Sequence, residues 1–135
     1  MFLTAEFQAG DDEIVTIEDD GRAGYAYLFV GGKMRSLVWL YNRLPAPESF
    51  QDAKNDKGPR NPRGYVSDVA FELPRTEGDF ATYTRPGTEV FEASIYIRGK
   101  LHALLKVGSM PGWCILAKKD GPLALELHVS GVGSH

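Results

Sequence analysis

The strongest pattern in the chain is the stretch 24–44, GYAYLFVGGKMRSLVWLYNRL, where two apolar runs flank Gly31, Gly32 and Lys33. Runs of aromatic and aliphatic residues of strand length, joined by a glycine turn, predict a β-hairpin. With a period of two, Tyr25, Tyr27 and Phe29 fall on one face and Ala26, Leu28 and Val30 on the other, while Leu37, Trp39 and Tyr41 alternate with Val38 and Leu40. Both faces are apolar. The hairpin is therefore expected to lie centrally, packed above and below, with Leu37 and Trp39 buried.

The rest of the chain is read against that hairpin. Residues 13–18, EIVTIE, alternate as a strand and lead through Asp19, Asp20 and Gly21 back to it; a further short strand is expected at 2–7. Residues 45–64 hold four prolines, two glycines and Phe50 as the one large apolar side chain, which excludes a central strand. A structured loop is expected there, with a helical turn or two over 49–55 behind Ser49 as N-cap. Residues 65–73, YVSDVAFEL, restart a strand pattern with Tyr65, Val69, Phe71 and Leu73 on one face, and Pro74 closes it. Residues 75–87 read as turns. Residues 89–98 and 101–107 form a second hairpin about Gly99 and Lys100; 113–118 and 123–129 resume the strand pattern, and 130–135 read as a frayed tail.

The two hairpins match at a constant separation of 67, Gly32-Lys33 with Gly99-Lys100 and Leu28-Phe29-Val30 with Ile95-Tyr96-Ile97. An internal duplication accounts for this, and so does convergence on hairpin chemistry, because the matched positions are apolar or turn residues. The expected fold is one all-β domain over the whole chain, an antiparallel sandwich or a curved, partly open barrel of roughly seven to nine strands with at most one short helix.

Charge refines the picture. The formal net charge of −3 hides a balance of −6 through Gly24 and +3 after it. An acidic end on a mildly basic body argues against nonspecific nucleic-acid binding, which needs a concentrated positive surface. It suits a protein partner, with Asp11, Asp12, Glu13, Glu18, Asp19 and Asp20 as the contact surface, joined by Lys54, Lys57, Arg60 and Arg63 from the long loop. The chain opens without a basic segment or long apolar run, no stretch could span a bilayer, and Cys114 has no partner for an internal disulfide; a cytoplasmic protein is expected.

No catalytic motif stands out. His102, His128 and Cys114 lack the paired spacing of a zinc site, so neither a metal nor a cofactor is expected, and Cys114 reads as a small buried hydrophobe. Trp39, Tyr41, Tyr25 and Tyr27 suit core packing better than a ligand platform.

The run AYLFVGGKMRSLVWLYNR, the proline-rich loop after it and the later IYIRGKLHALLKVGSMPGWCILAKKDGPLA together resemble the small, fast-diverging immunity proteins that bacteria make against secreted polymorphic toxins. The likeness is one of style over half the chain and carries over no site residue. It implies a cytoplasmic, non-enzymatic inhibitor that binds one toxin domain. A small-ligand β module, or an enzyme whose residues are dispersed along the chain, are the alternatives.

Overall fold

Strand formation follows the alternation before and after the proline-rich loop, in two sheets. The computed structural model describes residues 2–55, 58–85 and 89–128. In the first sheet β1 (Leu3–Gln8), β2 (Glu13–Asp19), β3 (Ala23–Val30) and β4 (Lys33–Asn42) run antiparallel in chain order. The second sheet takes β5 (Phe80–Thr84), β6 (Glu92–Ile97), β7 (Lys100–Lys106), β8 (Trp113–Cys114) and β9 (Leu125–Glu126), also in chain order, antiparallel except for the β8–β9 pair. The sheets meet chiefly through β4 and β7. Val15, Ile17, Ala26, Leu28, Val38 and Leu40 of the first meet Ala93, Ile95, Leu105 and Cys114 of the second in one continuous core. The expected all-β fold is observed, as two sheets and one short α-helix among the described residues.

Both hairpins turn on two residues of positive φ, Gly31 (59°) and Gly32 (84°) in one, Arg98 (52°) and Gly99 (77°) in the other. Two consecutive left-handed residues give the turn whose twist matches that of the flanking strands. The separation of 67 extends well beyond the turns. β2 pairs with β3 as Glu13↔Val30 and β5 with β6 as Phe80↔Ile97, and each hairpin carries an irregularity at the matching place, between Leu28 and Phe29 and between Ile95 and Tyr96. Ala26, Leu28 and Val38 occupy the same core positions as Ala93, Ile95 and Leu105. The two halves share turn, bulge and register over three strands but core positions in only two, since Val15 and Ile17 are buried whereas their equivalents Thr82 and Thr84 are not. β1 has no counterpart, because the stretch 70–75 at that offset is not a strand.

That stretch corrects one expectation. Residues 65–73 form no strand; the alternation is broken by Ser67 and Asp68, and only Val66 bridges to Ala117. Phe71 instead packs its ring 6.0 Å from Tyr41 and 4.9 Å from His102, plugging the end of the sandwich. The region 75–87, read as turns, contains β5. The central hairpin is also differently placed, since β4 ends its sheet in hydrogen-bonding order. Its outer edge is covered by the segment following β7, with Gly108 N–H donating to Arg35 O, Gly112 N–H to Leu37 O, and Trp39 N–H to Leu123 O. Trp39 is buried behind that cover and Tyr41 packs inward on Asp19 and Phe71, whereas Leu37 is only half-buried.

The long loop holds α1 (Phe50–Asn55), capped as expected by Ser49, whose hydroxyl accepts the Asp52 N–H at 3.1 Å. Its far limb is anchored by buried Pro59, Asn61 and Pro62. Asn42 Nδ2 donates to Asn61 O at 3.0 Å, and Asn42 Oδ1 accepts from Trp39 Nε1 at 2.8 Å. The indole that closes the first sheet thus also ties down the loop.

Candidate functional site

Successive turns of a meander lie at opposite ends of its strands. Asp11, Asp12 and Glu13 sit at the β1–β2 turn and Glu18, Asp19 and Asp20 at the β2–β3 turn, separated by the full length of β2. The acids that crowd one part of the sequence therefore form two groups, about 20 Å apart for a strand of this length. Asp19 belongs to neither as a contact residue. It is fully buried, its carboxylate accepting from the Tyr41 hydroxyl at 2.7 Å and the Gly21 N–H at 2.8 Å and pairing with the Arg43 guanidinium. Arg43 also donates to Pro74 O and stacks 4.1 Å over Phe2. Gly24 is required beside this cluster, because any Cβ there would overlap the Tyr41 ring. Burial and the hydrogen bond to Asp19 both push the Tyr41 phenol up, so it stays a donor.

The second acidic turn meets the long loop. Glu18, Asp20, Tyr25, Tyr27, Leu37 and Arg60 line a groove of about 430 Å³ over the outer face of the first sheet. A second depression of about 430 Å³, between α1 and the 122–123 turn, shares Arg22, Arg60 and Leu123 with it and brings in Lys54 and Phe50. The result is one charged cleft with an aromatic floor.

Its charges are ordered. Asp20 lies below the ordinary carboxylate range: partial burial opposes ionisation but is outweighed by the backbone N–H groups of Arg22 and Ala23 and by the Arg22 guanidinium, 2.8 Å away. Arg22 is thereby committed to Asp20, whereas among the described residues no carboxylate pairs with exposed Arg60. On the floor, the Tyr25 hydroxyl is the one buried side-chain polar atom without a hydrogen-bond partner among the described residues. Burial pushes its phenol up to about 12 despite the pull of Arg60, so it stays protonated. Tyr27 is raised too, by burial and then by Glu18 and Asp20.

Of the remaining contact residues read from the sequence, Arg63 is exposed and pairs with Glu48 at 3.2 Å, outside the cleft lining, and Lys57 lies outside the described residues. Arg22, Leu37, Phe50 and Leu123 were not legible as site residues. The Asp-Gly-Arg turn could have marked Arg22; nothing in the sequence brings Leu123 to Tyr25.

His102 and Cys114, isolated in sequence, touch in space. His102 Nε2 lies 2.7 Å from Leu40 O and the Cys114 sulfur 3.4 Å from the same carbonyl, with 3.7 Å between them. A carbonyl only accepts, so Nε2 carries the proton of a neutral imidazole. Burial lowers His102 to about 4 and raises the Cys114 thiol to about 12, the reverse of what a thiolate–imidazolium pair requires. The bulge of β7 turns His102 inward, and the pair packs the core. His128 is exposed, 3.9 Å from Glu126. Among the described residues, no three His, Cys, Asp or Glu side chains converge on a point that could hold a metal ion.

The buried imidazole sets a pH dependence. An unfolded chain protonates His102 near 6.5 and the folded chain only near 4, so this contribution to stability is complete above 6.5 and declines as pH falls towards 4. The loss is on the order of 3 kcal/mol. Urea denaturation at neutral pH and near pH 4.5 should show a smaller decline for His102→Gln than for the parent; equal declines would remove His102 as the cause.

No helix among the described residues is long and apolar enough to cross a membrane. No family model, no curated protein and no solved structure matches the chain.

Proposed function

We propose that the protein is a binding factor for another protein and that the partner docks in the cleft between the β2–β3 turn and the long loop. The observation that carries this reading is exposed Arg60, with no carboxylate partner among the described residues, over a floor of half-buried Tyr25, Tyr27 and Leu37. Tyrosine and arginine in a partly desolvated groove are the residues that dominate binding energy at protein interfaces. An entering carboxylate or main-chain carbonyl would accept from Arg60, and an apolar side chain would cover Leu37. The resemblance to immunity proteins adds the partner's class, a bacterial toxin domain held in the cytoplasm until it is secreted. The distal acids Asp11, Asp12 and Glu13 then act by steering alone, and their effect should fade at high salt.

The test is co-expression with any toxin-like chain found to be encoded beside this gene, read as host growth, together with calorimetry of the purified pair. Arg60→Ala and Tyr27→Ala should each weaken binding about tenfold or more, as truncated interface anchors do, and reduce protection. Neither side chain supports the core, so melting temperatures should stay near the parent's. Unchanged affinity in both variants would move the partner off this cleft. The groove volume also suits a small ligand; a metabolite that raises the melting temperature of the parent but not of Arg60→Ala would favour that second reading.

A further inference from the structure

The internal repeat shows what covers the outer edge of β2 and leaves the matching edge of β5 open. Arg98 N–H donates to Asp79 O and Arg85 N–H to Glu92 O, so alternate residues of β5 turn their backbone groups towards β6. Antiparallel geometry then turns the N–H and C=O groups of Phe80, Thr82 and Thr84 outward. Their equivalents 67 residues earlier, Glu13, Val15 and Ile17, face β1. Nothing takes the place of β1 beside β5 among the described residues, since 70–75 runs across the end of the sandwich. The edge also lacks the usual protection: β1 carries Glu6 on its own free edge, whereas β5 reads FATYT, without charge or proline.

We propose that β5 pairs with β5 of a second copy of this chain, joining the second sheets of two molecules across a twofold axis centred on Thr82. The segment is self-complementary in this register. Thr82 lies opposite Thr82 of the other copy, Ala81 opposite Tyr83, and Asp79 opposite Arg85. Ala81, Tyr83 and Arg85 lie on the outer side of the strand, and Asp79 ends the 3-10 turn that leads into it. Directly opposed threonines and opposite charges both favour antiparallel pairing. Tyr83 is 60% exposed, and beside Ala81 lies a depression of about 340 Å³ lined by Tyr83, Tyr96 and Gly99. The pairing seats each copy's Tyr83 over the other's Ala81, against this depression. Asp79 already stands 3.6 Å from Arg98 and Arg85 3.6 Å from Glu92, so the new pair extends existing charge networks. A contact of one short strand per molecule makes a weak, reversible dimer.

Sedimentation velocity over about a hundredfold range of concentration should show monomer passing to dimer, as mass action requires. Amide exchange should slow at Thr82 and Thr84 as concentration rises and stay constant at the β6-facing Tyr83. Thr82→Pro removes an outward N–H and no bond to β6, so it should raise the dissociation constant at least about tenfold. Tyr83→Lys, at a site 60% exposed, should do the same by setting the two copies' lysines diagonally across the twofold axis and emptying the depression. A parent chain that stays monomeric at the highest concentration overturns the proposal. So does a dimer that survives Tyr83→Lys with unchanged Thr82 exchange, which would place the contact elsewhere.

Discussion

Arg43→Met is expected to destabilise the protein by about 3 to 5 kcal/mol, the usual consequence of leaving one member of a buried ion pair without the other. Asp19 is fully buried and Arg43 nearly so, with 12% of its side chain exposed. Methionine fills much of the space over Phe2 and Tyr41 but cannot answer the carboxylate, and the Pro74 carbonyl loses its donor as well. The loss is a large fraction of the total stability of a domain of this size. The double variant Asp19→Asn, Arg43→Met should lose less than the two single variants together, because its second change removes a charge already stranded by the first. Chemical denaturation of all four proteins at neutral pH measures both quantities. A single variant within about 1 kcal/mol of the parent would show that water reaches Asp19 and that the pair is a surface one.

Asp19 also shows where the sequence is a good guide and where it misleads. The apolar period of two placed β2, β3, β4, β6 and β7, because each buries one face against the core and the pattern is the direct trace of that burial. It failed at 65–73, where Tyr65, Val69, Phe71 and Leu73 also alternate. Their carbonyls and amides find partners outside any ladder, Ser67 N–H on Leu116 O and Leu73 O on Arg98, while Phe71 serves as a plug. It missed β5 because FATYT buries only Phe80 deeply and exposes Tyr83 and Thr84, so the signal was too weak to stand out from turns. Charge misled for a different reason. Six acids adjacent in sequence were read as one surface, but a strand between two turns carries them apart, and the one acid that ends β2 on its inward-facing side becomes structural.

The cleft was legible in part. Glu18, Asp20, Lys54 and Arg60 were in view as charges, and Tyr25 and Tyr27 as a platform set aside in favour of core. The structure divides that aromatic set: Trp39 and Tyr41 are core, Tyr25 and Tyr27 line the groove. The division has two causes: the irregularity at Leu40 turns Tyr41 inward beside Asp19 and Phe71, and the segment carrying Leu123 covers Trp39. No local pattern encodes a bulge or the path of a distant segment. The repeat, in contrast, could be read at its turns and extends to the strand register only in the structure, because pairing partners are not visible in a single strand.

Trp39→Ala should cost about 3 to 5 kcal/mol through the cavity it opens in a site with no exposed surface. Its effect should also reach further than the core. The indole N–H holds Asn42, and Asn42 holds the Asn61 carbonyl, between the buried prolines that fix Arg60 at the cleft. Alanine therefore frees a loop anchor as it opens a cavity, whereas Trp39→Phe fills most of the space and loses only the hydrogen bond, at about 1 kcal/mol. The two variants separate packing from tethering. Both should raise amide exchange at Arg60 and Asn61 relative to the strands, and only the alanine variant should lower the melting temperature by many degrees. A melt of Trp39→Ala within about a degree or two of the parent would show an exposed indole, and the outer face of the first sheet would then be an aromatic platform along its whole width.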